Sequence, residues 1–195
     1  EIRLSLVGSE MCIRDRYQAS NEIDDLNVAN EQNDMVEKLI HKFFHFDNSD
    51  MSGKIVAYLN LLFNDIVRFI GKDFTPLNPL MKSEYMTNYC VTQKDEGLLS
   101  FNSGIDMSKS VAIAFASRYA KEEFHEFDEY VKASIEDFLN LHNGLFNVNM
   151  SNEFSLELNL CPPEVHEEET LTNATKIYVF PIIFPFGTIH FLMEI

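Results

Sequence analysis

One stretch limits what this chain can fold into more than any other: residues 126–148, EFDEYVKASIEDFLNLHNGLFNV. Phe127, Val131, Ile135, Phe138 and Leu145 recur there at spacings of four, four, three and seven. On an α-helix such residues form one apolar stripe, which has to be buried against a core. Ala133, Asp137, Asn140 and Gly144 follow the same period on a different face. They are small or polar, so that face points to water. Read for structure, it is a solvated surface. Read for chemistry, an acid and an amide three residues apart are a pair able to act on something docked against the helix.

The other elements say what this helix packs on. Residues 54–71 predict a second helix, with Ile55, Leu59, Leu62, Ile66, Phe69 and Ile70 along one side and Gly71 at its end. Residues 85–93 and 97–104 read as strands joined by a charged turn at 94–96. Asp106 or Ser108 caps a third helix whose core face holds Val111, Ala114, Phe115 and Tyr119. After the central helix come a strand at 154–160 and an acidic loop at 166–175. Strands at 176–184 and 188–194 follow, around a turn at 185–187. This order predicts an α+β fold, an antiparallel β-sheet with helices packed on one face.

Upstream, residues 34–50 predict an N-terminal extension helix on a domain covering 34–195, whose core begins near residue 55. His41 and His45 lie four apart on that helix, but no third ligand stands at a fixed spacing, so no metal site is expected. Residues 17–33 are polar and acidic and read as a linker. Residues 1–16, EIRLSLVGSEMCIRDR, resemble translated sequencing-adapter sequence and are expected to be non-native. On that expectation the natural N-terminus lies further upstream.

Composition removes several function classes. A net charge of −16 argues against binding a nucleic-acid backbone or an anionic membrane. No apolar run reaches the length of a membrane span. Cys12, Cys90 and Cys161 are too few and too scattered for a disulfide framework or a zinc site. They read as small hydrophobes in a reducing compartment, the cytoplasm. There is no glycine-rich dinucleotide loop, phosphate-binding Walker loop, HExxH or GxSxG.

The next marker is Pro163, twenty-three residues after Asn140, in the CPPEV run that follows FSLELNL. This segment resembles the CheC/CheX family of chemotaxis phosphatases. The family signature is Asp or Ser, three residues, Glu, two residues, Asn, twenty-two residues, Pro. Asn140 and Pro163 match in type and spacing, while Asp137 stands at the Glu position and Ala133 at the Asp/Ser position. The likeness runs from about residue 55 to 195, and its single motif copy resembles the CheX branch, whose members form homodimers.

The resemblance implies a CheX-like fold and a phosphatase, a hydrolase acting on the phospho-aspartate of a CheY-like response-regulator receiver domain in chemotaxis or two-component signalling. It implies Asn140 orienting the attacking water and Asp137 pairing with the receiver's lysine. It implies partner contacts at Glu136, Ala133, Asn143 and Gly144, and a structural role for Pro163. No cofactor of the chain's own is implied; Mg²⁺ belongs to the phosphorylated receiver, which is either a separate protein or part of the same longer chain. The two altered positions leave two further readings open. One is a catalytically weak or inactive CheX-like module that binds a receiver; the other is a dimerisation domain of a longer signalling protein.

Overall fold

The computed structural model describes residues 50–97, 100–155 and 157–194. The expectations for residues 1–49, including the adapter-like segment, the linker and the helix carrying His41 and His45, lie outside the described residues.

Helix α1, Asp50–Asp65, runs on into one wider π-helical turn, Ile66–Ile70. Ile55, Tyr58, Leu59, Leu62, Phe63, Ile66 and Ile70 are buried along it, which is the wide stripe the sequence predicts. The helix stops at Gly71, whose φ of 143° disfavours any side chain. Strands β1 (Thr75–Pro76), β2 (Leu80–Met86), β3 (Tyr89–Gly97) and β4 (Phe101–Met107) follow. Helix α2, Lys109–Ala120, starts at Ser108, whose Oγ accepts the Val111 N–H. Helix α3, Glu129–Phe154, starts at Asp128, whose carboxylate accepts the N–H groups of Tyr130 and Val131 at 3.1 and 3.0 Å. Each such cap stabilises by about 1 kcal/mol. Strands β5 (Leu158–Leu160), β6 (Glu164–Glu167), β7 (Thr170–Phe184) and β8 (Gly187–Glu194) complete the chain.

The strands form one antiparallel sheet in the order β1-β7-β8-β4-β3-β5, with β2 also on β7 and β6 also on β3. The helices cover one face. Val131, Ile135, Phe138, Phe146 and Met150 of α3 join α1, Phe115 of α2, and Ile105, Phe191 and Met193 of the sheet in one core. Burying each large apolar side chain contributes about 1.5–3 kcal/mol, so α3 is fixed by its apolar stripe. A smaller cluster of Tyr85, Cys90, Ile177, Val179 and Leu192 lies on the other face. Alternation along the strands turns these side chains away from the helices; beside them the β2–β7 ladder is bulged, its pairing passing from Lys82↔Ile177 to Glu84↔Thr172, a five-residue advance on β7 against two on β2.

The architecture is the expected antiparallel sheet with helices on one face, but several boundaries move. The charged residues 94–96 are not a turn; they lie in β3, with Lys94 opposite Asn102 and Asp95 opposite Phe101. Alternation explains it, since Lys94 faces water while Asp95 turns inward to an amide of α3. The expected strand at 85–93 breaks at residues 87–88 into β2 and β3. The expected acidic loop at 166–175 is mostly strand, turning only at Glu168, which takes a left-handed φ of 53°. At a sheet edge, polar side chains face water while the backbone still pairs. Helix α3 outruns its expected end by six residues, to Phe154 rather than 148, and the following strand shrinks to Leu158–Leu160.

Candidate functional site

The outward face of α3 carries Tyr130, Ala133, Asp137, Asn140, Gly144 and Val148 at helical spacing. Tyr130 and Val148 are 74% and 55% exposed, unusual for large apolar side chains, and they bracket the polar centre. Among the described residues nothing lies within 4 Å of where a Cβ on Gly144 would sit, so they leave the helix surface beside Asn140 open.

Asn140 itself is exposed, yet its carboxamide is held. Its Oδ1 accepts a hydrogen bond from Gln93 Nε2 at 2.9 Å, and the same Nε2 donates to the Cys161 carbonyl at 2.9 Å. Gln93 is a buried residue of β3, 1% exposed. Its Oε1 accepts from Asn143 Nδ2 at 2.9 Å. Asn143 is bound in turn by Ser103 and by the Tyr58 hydroxyl, which donates to its Oδ1 at 2.9 Å. The Cys161 carbonyl can only accept, which fixes the Gln93 amide and, through it, the amide of Asn140. Each such bond is worth about 1 kcal/mol when made and more when broken in a buried site.

This network gives the spacing between Asn140 and Pro163 a physical sense. Cys161 follows β5, and its N–H donates to the Lys94 carbonyl of β3 at 2.9 Å. Pro162 and Pro163 then restrict the chain before β6 begins at Glu164. This segment, running along β3 from β5 to β6, presents the Cys161 carbonyl to the side chain that also holds Asn140.

Asp137 is half-buried, and its Oδ2 accepts from the Tyr119 hydroxyl of α2 at 2.6 Å. Glu136 lies on the other side of the stripe, where burial first and Glu129 second raise its pKa, with Lys132 opposing. Ala133 is exposed. The structure therefore places Asn140, Ala133 and Gly144 on one open face, with Asp137 and Glu136 at its flanks. Asn143 departs from its expected role as a partner contact. It has no exposed surface, because its amide is turned into the core onto Ser103 and Tyr58.

Two residues of the site, Gln93 and Tyr119, were not singled out for function in the sequence. Gln93 had a signal: with Tyr89, Val91 and Asp95 it occupies the core-facing positions of a strand, where a polar side chain needs a partner. Tyr119 read only as a core residue. Among the described residues no three His, Cys, Asp or Glu side chains gather as a metal site, and no helix is long and apolar enough to cross a membrane.

No family model matches the chain, and no curated protein matches it. Solved structures do. The chemotaxis protein CheX from Desulfovibrio desulfuricans aligns with a TM-score of 0.61 at 14% identity, over 72% of this chain and 97% of that one. A CheC-like superfamily protein from Shewanella sp. PV-4 aligns at 0.62 and 16% identity, over 72% and 96%. The CheX–CheY–BeF₃–Mg²⁺ complex from Borrelia burgdorferi aligns at 0.61 and 18% identity, again over 72% and 96%. The chain has the CheX-like fold.

Proposed function

We propose that this chain is a phosphatase acting on the aspartyl phosphate of a response-regulator receiver domain. The observation that carries the reading is Asn140, an amide at the centre of an open helix face and clamped from behind, in a chain with the CheX-like fold. A receiver brings its own phosphate, Mg²⁺ and lysine, so a phosphatase supplies position and charge. An Asn amide both donates and accepts hydrogen bonds and does not titrate, so it suits holding a water in line with phosphorus. In this reading α3 docks on the receiver, Asn140 orients the water, and Asp137 pairs with the receiver's lysine. Ala133 and Gly144 let the two surfaces approach. The likeness to a CheX solved together with CheY supports the choice of partner class. The protein works in the cytoplasm as a homodimer, for which the exposed Leu80, Met81 and Met86 of β2 offer apolar surface.

A second reading has its own observation. The Tyr119 hydroxyl already occupies one oxygen of Asp137, which favours a module that binds receivers without hydrolysing their phosphate. Titration of the receiver in its beryllofluoride–Mg²⁺ form, alongside phosphate loss from the phosphorylated form, separates the two. The first reading predicts binding together with faster phosphate loss, the latter abolished in Asn140→Ala while binding and the folded state persist. Binding with an unchanged rate would establish the second.

A further inference from the structure

We infer that Gln93 is a positioning residue that sets which end of the Asn140 carboxamide faces the docked partner; this rests on the phosphatase reading for its catalytic consequence, though not for its geometry. Gln93 Nε2 takes one lone pair of Asn140 Oδ1 from the protein side. The Nδ2 group and the second lone pair of Oδ1 are thereby turned to the open face. An exposed Asn without that bond flips freely between two nearly isosteric orientations, only one of which offers these groups in that order.

The orientation is not a local choice of Asn140. It is imposed by the Cys161 carbonyl on one side of Gln93 and by Asn143, locked to Ser103 and Tyr58, on the other. Gln93 thus joins the segment before Pro163 to the amide on α3 and removes a rotational freedom before the partner arrives, which is where positioning gains its rate advantage.

The test uses the full chain and two readouts. The first is the side-chain NH₂ resonances in a ¹H–¹⁵N spectrum of the free protein, with those of Asn140 identified by their loss in Asn140→Ala. The second is the maximal rate and half-saturating receiver concentration for phosphate loss. Gln93→Leu is expected to move the Asn140 NH₂ pair and to lower the maximal rate by at least about 10-fold, with the half-saturating concentration unchanged. Thr87→Val removes side-chain hydrogen bonds to Glu169 elsewhere in the sheet, outside this network, and is expected to leave both readouts near wild type. Should Gln93→Leu fail to fold, the surface change Asn140→Ala carries the test, because it is expected to move the Gln93 NH₂ pair. An unmoved Asn140 pair in Gln93→Leu, an unmoved Gln93 pair in Asn140→Ala, or equal effects of Gln93→Leu and Thr87→Val would overturn the inference. A wild type that does not speed phosphate loss sinks the phosphatase reading instead, and the spectra still decide the role of Gln93.

Discussion

Replacing Asp95 by Asn should make the protein more stable at neutral pH and leave it unimproved in acid. Asp95 sits on the core-facing side of β3 with no exposed surface. Its Oδ1 accepts from Asn147 Nδ2 at 2.6 Å, while its Oδ2 has no hydrogen-bond partner among the described residues. Burial pushes its pKa up from 3.8 to about 6, against the lowering effect of the Asn147 bond. The sign follows from linkage. Below pH 3.8 the group is protonated in both folded and unfolded chains and costs nothing. Between 3.8 and about 6 only the unfolded chain ionises, so stability falls as pH rises, and above about 6 the loss is complete. At 1.36 kcal/mol per pKa unit the ceiling is about 3 kcal/mol. Screening by the polar groups around it, and the need of a new amide N–H for an acceptor, reduce the expected gain to about 1–2 kcal/mol. Asn keeps the oxygen that Asn147 binds. Urea unfolding of both proteins at pH 4 and pH 8 reads the result: a gain at pH 8 that vanishes at pH 4. A gain of equal size at both, or a loss at pH 8, would refute the reasoning.

Three further outcomes follow from the packing. Gly144→Ala should stabilise by about 0.5–1 kcal/mol in thermal unfolding, because the site is helical and open, whereas Gly144→Gln should weaken receiver binding without lowering stability. Gly187→Ala should cost about 2–4 kcal/mol in urea unfolding, since its φ is 140° and its Cβ would fall 2.3 Å from Val111 Cγ2. Tyr119→Phe should cost about 1–2 kcal/mol in the same assay and tighten receiver binding by freeing Asp137; weaker binding would show that Tyr119 supports the pair rather than restraining it.

Periodicity carried the sequence a long way where water and core alone decide a residue's place. Val131, Ile135 and Phe138 are buried, and Ala133, Asn140 and Gly144 face outward, as their spacing requires. Periodicity fails where a polar residue is buried against a distant partner. Nothing local distinguishes Asn143 from Asn140, because what buries it is Tyr58, 85 residues away, and Ser103, 40 away. Charge misled at 94–96 and 166–175 for a related reason. A strand with one wet side tolerates acids and lysines there, and only pairing with a neighbour reveals that the backbone is extended. The Asn140–Pro163 spacing was visible, but its physical link, the side chain of Gln93, appears only once β3 is placed beneath α3.

The measurement that tests the central claim most directly is the rate of phosphate loss from a phosphorylated receiver domain of the same genome, with Mg²⁺ throughout. It is read with no addition, with this protein, and with its Asn140→Ala variant. The account predicts acceleration by the wild type and a return to the unassisted rate in the variant. Equal rates in all three, across the receivers of that genome, would contradict it.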